Sequence, residues 1–327
     1  MTYRLTSIKK EMSDIPPLYA FLIISAVLAV TFLITSYIAY KRIFFHTPRE
    51  KDPYKCLDRD SISPYRDACK SLLDRICALP CEDIYTTSVD GLKLHGLLFS
   101  SQKENAPFVI QFHGYKSSPK RDFAGIGVMS IDDGYNVIMP DHRAHGKSEG
   151  HSITFGVKES EDCLCWVDYV IEKYGAERKI VLQGISMGAA TVILASSHRD
   201  LPSNVVGIMA DCPYSSAKKI IKKVMKDMKL PVCIFYPAAR LGAALFGRFN
   251  LSSASVAKAA ENSKTPILLI HGNGDDFVPH SMSEEISAKS TLIELHSFEG
   301  AGHGLSYLSN EEKYKALCRS FISKILS

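Results

Sequence analysis

The sequence predicts an α/β protein whose mostly parallel central sheet has helices on both faces, with a helical cap insertion and one preceding transmembrane helix. From Pro107 onward, short runs rich in Val, Ile and Leu alternate with segments of helical spacing, a pattern typical of a parallel sheet covered on both sides. The segment Pro213–Ala260 interrupts that alternation between two strands, and Leu18–Tyr40 contains no charged residue. The alternation predicts the sheet, the interruption at Pro213–Ala260 predicts the cap, and the uncharged segment Leu18–Tyr40 predicts the membrane helix.

The apolar segment Leu18–Tyr40 is long enough to cross a bilayer as a helix, which takes about 20 residues. Tyr19 and Tyr37 lie near its ends, where tyrosine rings favour the membrane interface. Lys41 and Arg42 follow directly, without a small-residue cleavage site, so the segment is interpreted as an uncleaved anchor; a signal peptide and a buried core helix are the alternatives. The excess of basic residues after the span favours a single-pass protein with its large domain in the cytoplasm, although the orientation is open.

The predicted organisation has four parts. They are an N-terminal tail (1–17), the transmembrane helix (18–40), a juxtamembrane linker with a helix (41–82), and an α/β domain (83–327) with a cap insertion at about 213–260. Because residues 41–63 are polar and broken by proline, a fragment that begins near Pro53 is expected to fold without the anchor.

Composition excludes some functions and leaves others open. Hydrophobic residues make up 46% of the chain, enough for a sizeable core, and the net charge of +4 is small for a nucleic-acid-binding protein of this length. The nine cysteines are interpreted as buried structural thiols, and Cys77 and Cys81 lack the second ligand pair that a zinc site needs. No metal or cofactor is expected, and the oligomeric state is open.

The pentapeptide Gly184-Ile185-Ser186-Met187-Gly188 lies between a predicted strand and a predicted helix. A G-x-S-x-G turn presents its serine at a sharp strand-to-helix reversal, where small flanking residues let the backbone close up. Ser186 is therefore the candidate nucleophile.

The segment His113-Gly114-Tyr115 follows an early apolar strand. Acyl transfer places negative charge on the carbonyl oxygen of the substrate, and backbone N–H groups must stabilise it. The predicted donors are the N–H of Met187, directly after the nucleophile, and the N–H of Tyr115. The imidazole of His113 is expected to hold this loop and not to act as a base.

His303 lies in a glycine-rich loop after the last predicted strand and is the candidate general base. The acid that orients it is expected on the loop after the preceding strand. That loop contains Asp275 and Asp276, and the residues by themselves leave both candidates open.

Taken together, these motifs resemble the α/β-hydrolase superfamily, in its bacterial esterase and serine-aminopeptidase-like branch, over about residues 83–325. The matching segments, in the family's order, are His113-Gly114, Asp141–Ser148, the Ser186 turn, His271–Pro279 and Gly302-His303. The family's acid lies three residues before a Val-Pro pair, which implies Asp275. The resemblance also implies that Asp141 and Arg143 brace the loop beneath the site. The family commonly has glycine where Ala144 stands, which is a departure.

The expected function is that of a membrane-anchored serine hydrolase that cleaves carboxylic esters, thioesters or lysolipids through an acyl-enzyme on Ser186. The expected partners are a small acyl substrate and membrane lipid, with no nucleic acid. The alternatives are an aminopeptidase or amidase and, outside enzymes, a membrane-tethered binding module on a hydrolase scaffold. The lysine-rich face over Lys218–Lys229 is either a solvated surface or a contact with anionic headgroups.

Overall fold

The computed structural model describes residues 16–198 and 201–327, and its centre is a sheet with the strand order β1-β2-β4-β3-β5-β6-β7-β8. The strands are β1 (Glu82–Thr87), β2 (Lys93–Phe99), β3 (Phe108–Phe112), β4 (Asn136–Pro140), β5 (Ile180–Ile185), β6 (Val205–Asp211), β7 (Ile267–Gly272) and β8 (Ile293–Phe298). The pairs β1–β2 and β2–β4 are antiparallel, and the remaining pairs are parallel. The predicted mostly parallel sheet is confirmed.

Twelve α-helices and three 3₁₀-helices are present in the described residues. The α-helices are α1 (Pro17–Ile43), α2 (Arg66–Ala78), α3 (Pro119–Asp122), α4 (Ile126–Asp132), α5 (Glu159–Tyr174), α6 (Met187–Ala195), α7 (Ala217–Asp227), α8 (Val232–Leu245), α9 (Val256–Asn262), α10 (Ser281–Ser287), α11 (Ser306–Ser309) and α12 (Glu311–Leu326). The 3₁₀-helices are η1 (Pro53–Asp58), η2 (Asp60–Tyr65) and η3 (Leu251–Ser253). Several begin at sequence-encoded caps: the Ser216 side chain accepts a hydrogen bond from the N–H of Lys219 at α7.

Buried side chains form two hydrophobic cores, one on each face of the sheet. Along β3, Phe108 and Ile110 point into the core beneath α5 and α6, whereas Val109 points into the core beneath α2, α4 and α12. This alternation is the period of two expected of a strand, and all five residues of β3 are buried. Helices therefore cover both faces, which leaves the carboxyl ends of the parallel strands as the edge open to a substrate.

Helix α1 is, among the described residues, the one element long and apolar enough to span a membrane. It extends three residues beyond the predicted segment, to Ile43, and most of its side chains are exposed. Its last turns differ: Ser36, Ala39 and Tyr40 are buried against the domain, and Phe44 just beyond has no exposed surface. Nearly all of the predicted N-terminal tail lies outside the described residues.

The juxtamembrane segment, residues 44–65, differs from the expected linker because it packs into the domain. Phe44 joins one core, while Cys56 on η1 and Ile62 on η2 join the other with α2. Phe45 forms an antiparallel β-bridge with Ser152, and the N–H of Ile153 donates to the carbonyl of Phe44. The segment looks polar because only isolated apolar residues point inward, a spacing that no simple period reveals.

The insertion at 213–260 forms α7, α8, η3 and the start of α9, and it packs beside the end of α1.

The interpretation of the cysteines as buried thiols is wrong for four of them. Cys81 and Cys233 are exposed, and Cys77 and Cys165 are half-buried. Cys233 is exposed because it lies on the side of α8 that faces away from the sheet.

Candidate active site

The serine turn joins β5 to α6. Ser186 has φ 56° and ψ −112°, a backbone conformation that side-chain-bearing residues rarely adopt. A Cβ at Gly184 would overlap the backbone of Gly188, and a Cβ at Gly188 would overlap the carbonyl oxygen of Phe112. Only glycine fits at both positions, so the two motif glycines allow the reversal that lifts Ser186 to the carboxyl edge of the sheet.

The structure brings the three predicted side chains together in a continuous hydrogen-bonded chain. Ser186 Oγ lies 2.9 Å from His303 Nε2, and His303 Nδ1 lies 2.6 Å from Asp275 Oδ2. The carboxylate can only accept, so Nδ1 carries the hydrogen and Nε2 is left to accept from the serine hydroxyl. Asp275 is buried, and the His303 side chain is 25% exposed at the mouth of a cavity.

Asp275 is held by four hydrogen bonds. The backbone N–H groups of Phe277 and Val278 donate to Oδ1, while His271 and His303 contact Oδ2. Burial by itself would raise the pKa of Asp275, but the bonds from His271 and His303 outweigh it and hold the pKa below its usual range. The carboxylate is therefore ionised in the folded protein.

The neighbouring Asp276 occupies a different environment. Its side chain is exposed, and among residues 16–198 and 201–327 its hydrogen bond to another side chain runs through its backbone oxygen, which accepts from Lys223 of α7. Of the two candidates for the acid that orients His303, Asp275 is therefore the one whose carboxylate contacts His303.

His271 stabilises the Asp275 carboxylate through a second imidazole contact to Oδ2. Its Nε2 lies 2.9 Å from the carbonyl of Val278 and 3.1 Å from Asp275 Oδ2, so this nitrogen carries the hydrogen. Its Nδ1 accepts from Ser283 Oγ at 2.6 Å. His271 falls in the sequence segment that resembles the family, but the sequence by itself assigns it no role.

The predicted oxyanion donors are Tyr115, on the loop after β3, and Met187, directly after Ser186. Met187 is the first residue of α6, and Tyr115 lines the cavity. Neither backbone N–H donates to an acceptor among the described residues. The N–H of Gly114 donates to Asp122 Oδ2 at 2.8 Å, which fixes the loop, and the Tyr115 hydroxyl donates to the carbonyl of Ile43 at 2.7 Å. The loop is thus bonded to the end of α1, a link that no sequence motif indicates.

His113 has the structural role expected of it. Its Nδ1 contacts the carbonyl of Gly114, its Nε2 accepts from the N–H of His142, and His145 Nε2 accepts from the N–H of Lys116. Burial holds the pKa of His113 and of His145 well below the usual value, so both rings are neutral acceptors. They shape the loop that contains Tyr115.

Asp141 and Arg143 brace the structure beneath the loop. Arg143 pairs with Asp162 at 2.6 Å and with Asp90 at 3.0 Å, while Asp141 contacts His95 at 2.7 Å. Burial raises the pKa of Asp162 to about 6, against the opposing effect of Arg143. These contacts tie the segment to β2 and α5.

The cavity at Ser186 has a volume of about 420 Å³. Its outer wall comes from η1, η2 and α2, through Cys56, Ile62 and Leu72, and none of its lining residues belongs to the insertion at 213–260. The sulfurs of Cys56 and Cys69 lie 4.0 Å apart in this wall. The juxtamembrane segment and α2 therefore form a wall of the cavity, whereas the insertion, which was expected to cap it, contributes no lining residue.

Asp211 is a further buried carboxyl in the cavity lining. It ends β6, receives a bond of 3.4 Å from Ser306 Oγ, and accepts the N–H of Ser186 on its backbone oxygen. Burial raises its pKa to about 6. Sequence reasoning missed it because it belongs to no motif; its position at the end of a parallel strand is the only signal.

A family model for the α/β-hydrolase fold matches residues 107–232, which include the serine turn. The chain has the α/β-hydrolase fold, and over these residues it is similar to the α/β-hydrolase superfamily. Among curated proteins, this chain is 28% identical over 198 residues to the uncharacterised YqkD of Bacillus subtilis (strain 168), a match that covers 60% of this chain and 64% of that one. It is 26% identical over 220 residues to the uncharacterised YfhR of Salmonella typhi, covering 63% and 68%. The chain thus spans just under two thirds of the length of YqkD.

Two solved structures illustrate the likeness of the α/β-hydrolase fold. The Pyrococcus furiosus esterase Pf2001 aligns with a TM-score of 0.63 at 24% identity, covering 87% of this chain and 99% of that one. The Pyrococcus horikoshii acylaminoacyl peptidase aligns with a TM-score of 0.58 at 18% identity, covering 78% and 43%. These likenesses establish the fold.

Proposed function

We propose that the chain is a membrane-anchored serine hydrolase that cleaves carboxylic esters, including thioesters or lysolipids, through Ser186, His303 and Asp275. The supporting observation is the hydrogen-bonded chain from Ser186 Oγ to His303 Nε2 and from His303 Nδ1 to the Asp275 carboxylate. Nucleophile, base and orienting acid are within bonding reach of one another, which is the geometry that covalent acyl transfer requires.

In the first step, His303 Nε2 accepts the proton of Ser186 as Oγ forms a bond to the substrate carbonyl carbon. Asp275 stabilises the resulting imidazolium, and the N–H groups of Tyr115 and Met187 stabilise the oxyanion. The carbon–oxygen bond to the alcohol breaks, and His303 gives that alcohol its proton. Water then loses a proton to His303, attacks the acyl-enzyme and releases the acid with Ser186 restored.

The cavity supports a substrate of modest size with an apolar part. Its volume of about 420 Å³ lies in the range of small-molecule pockets, and Ile62, Leu72 and Ile126 contribute apolar surface. Its position against the segment that follows α1 supports a site close to the proposed membrane surface. Esters that partition into membranes are therefore the favoured class.

The proposed anchor is helix α1. Its side chains from Leu18 to Thr35 are mostly exposed and apolar, an arrangement that is unfavourable in water and favourable in lipid. Lys41 and Arg42 at its end suit a cytoplasmic headgroup region, which supports a single-pass protein with its catalytic domain in the cytoplasm.

The proposal is tested with the full chain in detergent micelles. A fluorophosphonate should label the wild type, and Ser186→Ala should abolish labelling and lower kcat on p-nitrophenyl esters by about 10⁴-fold or more. Ser61→Ala is the matched control, because Ser61 lines the same cavity but bonds to no member of the triad. Labelling of Ser186→Ala at the wild-type rate would contradict the assignment.

A panel of substrates distinguishes ester hydrolysis from amide hydrolysis. Esters of rising acyl length and aminoacyl amides are compared on the wild type, and hydrolysis of esters at least tenfold faster in kcat/KM is expected. Faster hydrolysis of the amides would favour the aminopeptidase or amidase function. A folded chain that neither reacts with the phosphonate nor cleaves either class would instead be a binding module on this scaffold.

A further inference from the structure

Helix α8 carries an apolar outer surface on the side that faces away from the sheet. Ile234, Leu245 and Phe246, at its two ends, are 53%, 51% and 40% exposed. Between them Pro237 and Ala244 are exposed as well, and exposed Arg240 lies between these two on the same side of the helix. We call the five apolar residues the α8 outer face.

Helix α8 packs directly against the last turns of α1. A Cβ at Gly242 would overlap the carbonyl oxygen of Ser36, so only glycine allows the two backbones to approach this closely. The rings of Tyr37 and Phe246 meet edge to face with their centroids 5.1 Å apart, and Tyr40 lies 5.8 Å from Phe246. The outer face is therefore continuous with the exposed apolar surface of α1.

The length of α1 sets the depth of α8. A hydrocarbon core about 30 Å thick takes about 20 helical residues, so a span that begins at Leu18 reaches Tyr37. Tyr37 is the residue that contacts Phe246. A bilayer that ended one or two turns earlier would leave α1 too short to span it, so lipid extends to the level of α8.

The charged residues around α8 are also consistent with a position of this helix at the level of the lipid headgroups. No acidic residue lies between Asp227 and Glu261, whereas Lys229, Arg240 and Arg248 are all exposed in this stretch. Basic residues beside an apolar surface suit the anionic headgroups of the cytoplasmic leaflet.

The basic helix α7, by contrast, directs two lysines toward the protein. Lys219 contacts Glu285, and Lys223 contacts Asp227 at 2.7 Å together with the backbone of Asp276. Of the two cap helices, α8 is therefore the one that the observations place against lipid.

We propose that the α8 outer face lies in the interfacial region of a phospholipid bilayer, so that the enzyme contacts the membrane through α8 as well as through α1. This proposal rests on the anchoring role proposed for α1. It assigns the insertion at 213–260 to membrane contact, while the juxtamembrane segment forms the outer wall of the active-site cavity.

Tryptophan quenching in vesicles tests the proposal on the full chain. Trp166, the only native tryptophan, is buried and gives a common background. Ile234→Trp reports on the outer face, Val27→Trp on the middle of the span, and Val89→Trp, 77% exposed on the β1–β2 turn, on the aqueous side. The vesicles contain phosphatidylcholine and phosphatidylglycerol with bromine either high on the acyl chain or near its end.

We expect quenching of Ile234→Trp at least threefold stronger than that of Val89→Trp, and stronger with bromine high on the chain, while Val27→Trp responds most to bromine near the chain end. If Val27→Trp is quenched but Ile234→Trp behaves like Val89→Trp, the interfacial position of α8 is wrong and the anchor stands. If Val27→Trp is not quenched, the anchor itself is wrong. Shielding of Ile234→Trp from an aqueous quencher without bromine quenching would indicate a second copy of the chain on this face, and would overturn the proposal.

Discussion

Two regions border Ser186, and the sequence encodes them in different ways. At the catalytic edge, the residues that meet lie in short motifs directly after strands: the serine turn after β5, Asp275 after β7 and His303 after β8. In the juxtamembrane segment, isolated apolar residues pack into the two cores on opposite faces of the sheet, Phe44 into one and Ile62 into the other. The first region is specified by local backbone geometry, the second by tertiary packing alone. A wall of the candidate active site can therefore lie in a segment whose composition is that of a linker.

The largest expected effect concerns the catalytic edge. Asp275→Asn should lower kcat/KM on the best ester by about 10³- to 10⁴-fold, because an amide neither stabilises the imidazolium nor holds the required tautomer of His303. Asp276→Asn is the matched control, since its side chain is exposed, and should stay within about threefold of wild type. A larger loss of kcat/KM in Asp276→Asn than in Asp275→Asn would assign the acid to Asp276, and the motif would then not identify the orienting carboxylate.

The next effect concerns the juxtamembrane segment. Phe44→Ala should lower the free energy of unfolding by about 3–5 kcal/mol, because Phe44 has no exposed surface and packs on Phe155 and Phe249. The measurement is denaturant unfolding of the full chain in detergent micelles, followed by near-UV circular dichroism of the domain.

Phe21→Ala supplies the matched control, because Phe21 is 65% exposed on the free part of α1. It should change domain stability by less than about 0.5 kcal/mol. A chain truncated to begin at Pro53 lacks Phe44 and the Phe45–Ser152 bridge, and we expect it to aggregate. Equal stability of Phe44→Ala and wild type, or a well-folded truncated chain, would restore the linker interpretation.

The sequence predicts much of this molecule, and the difference between the regions explains the rest. Alternating strands and helices predict the sheet, because each element carries its own period. Ser186, His303 and the pair Asp275 and Asp276 are identifiable because strand ends in a parallel sheet meet at one edge. The wall over the cavity is not predictable, because Cys56 and Ile62 are single inward residues with no period. The role of His271 depends on how the loop after β7 folds back on it, which no residue pattern encodes. The carboxyl of Asp211 joins the site only when strands distant in sequence lie side by side.

Asp211 lies at the catalytic edge although it belongs to no sequence motif. Its folded-state pKa of about 6 exceeds the ordinary value of 3.8, so the folded state holds the proton more tightly. The stability that this group contributes is full below about pH 4 and is lost as the pH rises through about 6. Asp211→Asn removes this dependence, so between about pH 4 and 7.5 the variant should gain about 2–3 kcal/mol relative to wild type. Urea midpoints measured across this range check it; parallel curves for the two proteins would contradict it.

The smallest effect concerns the loop that joins the two regions. Ala144 has φ 64°, in the left-handed region that favours glycine, and its carbonyl contacts His46 Nδ1 at 2.6 Å. Ala144→Gly should relieve this backbone strain and raise the free energy of unfolding by about 0.5–1 kcal/mol. Gly146→Ala is the opposing control, since Gly146 also has a positive φ and a Cβ there would overlap the Asp141 carboxyl, so this variant should be destabilised. Both are measured by denaturant unfolding. If Ala144→Gly instead lowers the free energy of unfolding, the buried methyl group of Ala144 stabilises the core by more than the backbone strain costs. The alanine that departs from the family pattern would then stabilise the loop where His46 of the juxtamembrane segment contacts it.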